Sequence, residues 1–257
     1  MRRLTIIGTA LAVLVGASAA YAVSHFNSYP GTKLVFAPKV AGTSKKPAAI
    51  GETEILKASA PSGDRAAPLI NIKTTVYGLK ANGGKLPKCT DKMIEANTTL
   101  YDKACPKGSL IASGPVHALL GPANDPSMSK GTNCNPFLHV YNGGPKTQVF
   151  FFTTDATHQC AGLRTGATAP YDGHISYKGK NMVVNVPLPP DISNKVANQP
   201  GLYGSLITET LIWPKSTHYT SSVACGKGHK RPYSVQYTAQ DYNGGTETQT
   251  VKAKDKC

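Results

Sequence analysis

The sequence predicts an all-β protein: an antiparallel β-sandwich of jelly-roll type, stapled by disulfides, with one short helix. Three observations predict it. Segments alternate apolar and polar with period two, Gly and Pro number 25 and 19 in 257 residues, and six cysteines sit in a chain with an export leader. The leader has Arg2 and Arg3, an uncharged apolar run Leu4–Gly16, and small residues flanking Tyr21 in "AYA". Residues 1–22 are therefore expected to be a signal peptide cleaved after Ala22. An uncleaved anchor is the other reading, because no charge occurs from Leu4 through Ser24. Residues 23–31 follow as a flexible mature N-terminus, then 32–257 as a single sandwich domain. If there are two subdomains instead, they divide near 121–136.

Export makes the cysteines architectural, since thiols oxidise outside the cytoplasm. No C-x-x-C redox pair and no short-spaced metal-ligand cluster is present. "HQC" at His158–Cys160 is the nearest approach to a metal grip. The expected set is sequential: Cys89–Cys105, Cys134–Cys160 and Cys225–Cys257. Inside the first loop Thr90 can cap a short helix, with Met93, Ala96 and Leu100 on one side. Pro106 and Gly108 then stop it.

The strands follow in order. "TKLVFAP" and "TEILKAS" come first. "INIKTTVYG" places Ile70, Ile72, Thr74 and Val76 on one side. After the helical loop come "SLIASGPVHALL", "FLHVYNGG" and "TQVFFFTT"; the last, apolar on both faces, suits a strand packed on both sides. "HISYKGKNMVVNVPL" contains a hairpin candidate at Lys178-Gly179. "GSLITETLIW" puts Glu209, Leu211 and Trp213 on one face, and "SVQYTAQ" turns Val235, Tyr237 and Ala239 inward. Asn-Gly pairs at Asn82, Asn142 and Asn243 supply the positive φ of tight turns.

The order "LPKC…ACPKGSLIASGPV", "FLHVYNGG", "HISYKGKNMVVNVP" and a cysteine before a final strand pair ending in Cys resembles a group of exported proteins of high-GC Gram-positive bacteria. Pro87, Cys89, Cys105, Pro106, Ser109 and Gly114 match that group's pattern, and Ala112 stands where it often has glycine. The resemblance implies a β-rich extracellular fold with paired cysteines. It implies no activity and no site, since none is established for the group.

Catalytic signatures are absent from the sequence. There is no G-x-S-x-G elbow, no H-E-x-x-H helix and no D-x-D-x-D-G calcium loop. No metal or other cofactor is expected. Glu209, near Trp213, is the one carboxylate placed to line a sugar groove; the plainer expectation is a solvated edge glutamate. Phe151 could line a cavity for a hydrophobic ligand. The chain carries 28 Lys and Arg against 14 Asp and Glu, net +14, or +12 once Arg2 and Arg3 leave with the leader. "CGKGHKR" concentrates Lys227, His229, Lys230 and Arg231, and Lys45 and Lys46 add to the balance. Such a loop can hold an anionic cell-wall polymer, glycan or lipid head group. Nucleic acid is a poor partner for an exported chain without basic residues interleaved with exposed aromatics. The expectation is a monomeric, secreted or envelope-associated, non-catalytic binding or structural module without a membrane anchor after cleavage. A secreted glycan or ester hydrolase and a carrier of a hydrophobic ligand are the alternatives.

Overall fold

The structure, a computed structural model, describes residues 25–96, 105–163 and 166–257. The leader, the glycosylation sequon "NTT" at Asn97 and Leu100 lie outside the described residues. Fifteen strands appear in chain order: β1 (Lys33–Ala37), β2 (Ala48–Lys57), β3 (Leu69–Tyr77), β4 (Leu79–Ala81), β5 (Leu110–Pro122), β6 (Thr132–Cys134), β7 (Phe137–Gly144), β8 (Thr147–Thr154), β9 (Gly166–Ala167), β10 (Tyr171–Lys178), β11 (Asn181–Pro187), β12 (Leu202–Trp213), β13 (Thr220–Ser222), β14 (Lys230–Gln240) and β15 (Thr246–Lys256). Every pairing is antiparallel, in the order β15-β14-β3-β11-β10-β8-β7-β5-β12-β2-β13-β4, with β1 on β2, β6 on β5 and β9 on β8.

This sheet doubles over on itself into an antiparallel β-sandwich. Thr74 of β3 and Glu54 of β2 are separated in the sheet by six strands, yet the Thr74 hydroxyl donates to Glu54 Oε1 at 3.4 Å. At one end the outer edges of β1 and β15 meet: the Phe36 amide donates to Asp255 Oδ2 at 2.8 Å and Lys39 Nζ reaches it at 2.5 Å. A charged clasp there blunts two open edges that would otherwise template pairing with another chain.

The alternation read from the sequence sets which side chains fill the core. Ile72, Thr74 and Val76, and likewise Val235, Tyr237 and Ala239, are all buried. β10 and β11 turn at Gly179-Lys180, one residue on from the expected Lys178-Gly179 because Lys178 still pairs with Asn181, and Gly179 has φ +60°. β14 and β15 turn around Asn243, with Asp241 Oδ1 accepting from the amides of Asn243 and Gly245. The other two Asn-Gly pairs are not hairpin corners. Asn142 is fully buried inside β7, its Nδ2 donating to Gly83 O and Pro87 O at 2.9 Å each. The β7–β8 turn falls at Pro145–Lys146 instead. Asn82 precedes a single 3-10 turn and donates to His218 O and Ser221 Oγ. In both places the side-chain amide offers more hydrogen bonds to neighbouring chain segments than a turn would use.

All three sequential disulfides form: Cys89–Cys105, Cys134–Cys160 and Cys225–Cys257. The first loop carries helix α1 (Asp91–Glu95), whose Thr90 cap makes no side-chain hydrogen bond. Its buried residue is Ile94, with Met93 partly covered, whereas Ala96 is exposed. The helix is too short for a stripe to govern it; the bulkiest side chain wins the contact. Ile94, Cys89, Tyr141, Val149 and Phe151 form a satellite cluster on the outside of β7 and β8. That is why "VFFFTT" is apolar on both faces: Phe150 enters the main core, and Phe151 lies under the disulfide loop.

The segment expected to be a flexible N-terminus is packed from Asn27 onward. Asn27 is fully buried and exchanges two hydrogen bonds with the Ala67 backbone, and Tyr29 stacks on Tyr237 at 3.9 Å between ring centroids. Ring stacking and a ladder-like amide pair outweigh the fraying usual at a chain end. The stretch 121–136 is likewise tied in, because β6 pairs with β5 and the Arg65 guanidinium donates to Pro122 O and Asp125 O.

Candidate functional site

Strand alternation sorts the charges of this sandwich into two places. The first is built around the loop read from the sequence. Cys225–Cys257 closes it, the Cys257 amide donates to His229 O at 3.0 Å, and the Gly226 amide donates to Lys230 O at 3.1 Å. Lys227, His229 and Lys230 are exposed. Arg231 is not part of that exposed cluster. As the first inward residue of β14 it is fully buried, with Nε donating to Tyr77 O, Nη2 donating to Ser222 Oγ, and its guanidinium 5.0 Å from the Phe36 ring centre. One residue along a strand reverses the face, so Lys230 and Arg231 in "HKR" point opposite ways.

The register brings other lysines to the loop. Lys230 stands opposite Lys256, Pro232 opposite Lys254 and Ser234 opposite Lys252. Ser234 in turn faces Thr75, and Gln236 faces Lys73. Across β15, β14, β3 and β11 the outward positions carry Lys252, Lys254, Lys256, Lys230 and Lys73, with Thr, Ser, Asn, Gln, Pro, Val and Tyr between them and no carboxylate. On β15 the lysines recur at about 6.8 Å, two residues of extended strand. Its two acids, Glu247 and Asp255, point the other way. Glu247 holds the Phe26 amide and His25, and Asp255 forms the β1 clasp. The next strand, β10, has Asp172 at its far end, with Oδ1 shut away from solvent and Asp91 of α1 beside it.

The second place is inside. β2 reads Ile50, Glu52, Glu54, Leu56 on its inward face, so two acids occupy positions of apolar parity. β12 adds Glu209, two residues diagonal to Glu54 because Glu209 pairs with Leu56 and Leu211 with Glu54. Each of the three is no more than 9% exposed, and Glu209 is not the solvated edge residue expected. They line a chamber with free space of about 60 Å³ for the centres of water-sized molecules, walled by Leu138, Phe150, Met182, Leu211 and Trp213. Glu209 and Trp213 do share a face, as the period requires, but it is the enclosed one and no surface groove runs across them.

Burial pushes the Glu52 carboxyl up to about 8 with the Glu54 charge adding to it, and pushes Glu209 up to about 8 for the same two reasons. Glu54 rises to about 7 by burial, held back by the Thr74 hydrogen bond. A carboxylate in an apolar surround loses its hydration, so the neutral acid is favoured near neutrality. Gln148 Oε1, deeply buried on the chamber wall, accepts no hydrogen bond, and the equally buried Tyr219 hydroxyl has the Gln148 amide as its polar neighbour.

The remaining sequence candidates have plain structural roles. Cys160 is in a disulfide, so "HQC" is no metal grip. Asp155 accepts from the Thr157 and His158 amides and the Thr157 hydroxyl as a turn, which holds its carboxyl well below the usual range. Lys45 and Lys46 are exposed in a separate loop. Sequence reasoning missed Glu52 and Glu54, although their parity with Ile50 and Leu56 marks them as inward. It also missed Lys252, Lys254 and Lys256, whose spacing in "TVKAKDK" is the same alternation.

Compared with known proteins, the chain matches no family model, no curated protein and no solved structure.

Proposed function

We propose that the protein is a secreted, non-catalytic binding module that holds a linear polyanion of the cell envelope on its lysine face. Its three disulfides are consistent with an extracellular setting. The observation that carries the reading is the outward surface of β15, β14, β3 and β11, where five lysines stand without a single carboxylate to neutralise them. Lys227 and His229 extend the same stripe past the end of β15, pinned there by Cys225–Cys257.

A face of this kind favours a long anionic chain over a small anion. One exposed ion pair contributes roughly 0.2–1 kcal/mol, so no single lysine holds a ligand. A polymer that meets several at once pays its loss of translational freedom once and adds each later contact as an intramolecular one. Hydroxyls and amides of Thr75, Ser234, Gln236 and Asn185 lie between the charges as hydrogen-bonding groups. Because the face is solvated, attraction weakens as the Debye length shrinks from about 10 Å at 0.1 M salt to about 3 Å at 1 M.

The test is retention on immobilised polyphosphate and on a carboxylated glycan, with neutral dextran as the blank. Retention on both polyanions is expected at 50 mM salt, with elution below 500 mM. The triple variant Lys252→Gln/Lys254→Gln/Lys256→Gln should elute at distinctly lower salt than Lys45→Gln/Lys46→Gln/Lys195→Gln, which removes equal charge elsewhere. Equal elution of the two variants would reduce the effect to net charge and discard the face.

A further inference from the structure

The carboxyl chamber is separate from the lysine face, and its lining leaves buried polar groups short of hydrogen-bond partners. No donor among the described residues other than the Thr74 hydroxyl bonds to the carboxyls of Glu52, Glu54 or Glu209. Gln148 Oε1, on β8 across the chamber, is an acceptor with no donor, and its residue is 3% exposed. The Tyr219 hydroxyl, on a residue 1% exposed, lies on the same wall with the Gln148 amide as its polar neighbour. Leaving polar groups of this kind buried and unmade is costly, about 1–3 kcal/mol each. The protonated acids carry O–H donors of their own, but an ionised carboxylate here, together with Gln148 Oε1, lacks a donor. Arg231 Nη1, the unpartnered donor nearby, does not line the cavity, so the occupant that completes the set is a cationic donor.

Size and shape narrow the donor. At about 10–15 Å³ per water-sized centre, the free space of about 60 Å³ holds roughly four or five heavy atoms. Among the described residues no three His, Cys, Asp or Glu side chains are grouped to hold a metal ion. Glu52 and Glu54 leave β2 about 6.8 Å apart, a span for a multi-armed donor rather than a bare ion. The rest of the wall is aliphatic and aromatic: Leu138, Phe150, Met182 and Trp213.

We propose that the chamber is a binding site for a small primary ammonium with a short aliphatic body, its N–H groups shared among Glu52, Glu54, Glu209 and Gln148 Oε1 and its carbons seated against Phe150, Leu138 and Trp213. Trp213 gives a cation a favourable ring face as well. The groups facing the acids from other strands are Tyr171 on β10, Tyr219 beside β13, and Tyr237 and Arg231 on β14, with Asp191 acting on Tyr171 and Asp255 on Arg231. Arg231 is the one cation among them; its guanidinium donates to Tyr77 O, Ser222 Oγ and Ala224 O, and its charge favours the ionised form of Glu52. The acids hold protons near neutrality, so the entering cation displaces one: R–NH3+ comes in, one carboxyl proton leaves to solvent, and the chamber's charge is unchanged.

The experiment is calorimetric titration of the purified protein with propylammonium chloride in phosphate and in MOPS at pH 7, two buffers that contain no primary amine. Binding is expected, with heats that differ between the buffers by the ionisation heat of about one proton. Affinity should rise about tenfold per pH unit between pH 5.5 and 7. Within the series from methyl- to hexylammonium the optimum should fall at two to four carbons. Glu209→Gln should weaken binding at least tenfold, with folding checked by thermal melting. Gln148→Met, which keeps the volume and removes the acceptor, should weaken it several-fold and serves if the first variant does not fold. If 1-propanol binds as well as propylammonium, or heats are buffer-independent, or no ligand of the series binds at millimolar concentration, the assignment is overturned and the chamber is a water-filled void.

Discussion

The outer lysine face and the inner carboxyl chamber are built from the same device and meet opposite fates. On β15 an alternating run places Lys252, Lys254 and Lys256 in solvent; on β2 an alternating run places Glu52 and Glu54 in the core. Water keeps the first set charged at almost no expense, and its exclusion makes the second set neutral near pH 7. The difference teaches that net charge alone says little about where a protein is electrostatically active. The imbalance of bases over acids on this surface is sharpened because acids are withdrawn inward or spent on seams, such as Asp255 at Phe36 and Lys39.

The comparison can be broken most forcefully at the disulfide that joins the loop lysines to those of β15. Cys225→Ser/Cys257→Ser is expected to cost about 4 kcal/mol in urea unfolding, from the closure of a loop whose ends are 32 residues apart. It should weaken polyanion retention and leave propylammonium binding intact, because no chamber residue touches that bond. Loss of both activities in the folded variant would show that the two regions are coupled.

A smaller step uses the adjacent pair Lys230 and Arg231. Arg231→Ala removes hydrogen bonds to Tyr77 O and Ser222 Oγ and packing against Phe36, and should cost roughly 3 kcal/mol. Lys230→Ala should change stability by less than about 0.5 kcal/mol while lowering the salt needed for elution. Equal losses of stability would contradict the one-residue reversal of face.

The third test is titration of the acids. Their folded-state pKa values lie above those of the unfolded chain, where a glutamate titrates near 4.3. Below about pH 4.5 both states hold the protons. Between there and about pH 8 the unfolded state releases protons that the folded state keeps, so stability declines as pH rises and levels off above 8. Glu209→Gln removes one such group and should stabilise the protein by roughly 2 kcal/mol more at pH 8.5 than at pH 4.5. Urea midpoints at the two pH values measure this; a variant whose curve runs parallel to that of the parent would mean Glu209 is ionised in the fold.

Much of the framework was legible residue by residue. Alternation named Val235, Tyr237 and Ala239 in "SVQYTAQ" and Ile72, Thr74 and Val76 in "INIKTTVYG" as inward, but a register shift turns in Leu69 and leaves Ile70 half-buried. The sequential cysteine pairing that forms is one of fifteen the sequence allows. Turn chemistry was legible only where a turn had no better use for its side chain. Asn243 behaves as a corner, whereas Asn142 is taken into the core to hold Gly83 and Pro87. The candidate sites were half visible. Lys227, His229 and Lys230 stood out as a cluster, but their continuation onto Lys252, Lys254 and Lys256 depends on a strand register that no local pattern states. Glu209 drew notice for its neighbour Trp213, and its actual companions are Glu52 and Glu54, more than 150 residues earlier.

By itself, then, the sequence determined the class of fold, the inward and outward face of its regular strands, and a basic surface, because period, turn residues and cysteine count are local or compositional properties of the chain. Only the tertiary structure decided which lysines share a surface and that three acids share a buried chamber with Tyr219 and Gln148. Those facts follow from folding one sheet over on itself, which sets long-range proximity and excludes water, and neither quantity is written in any short stretch of residues.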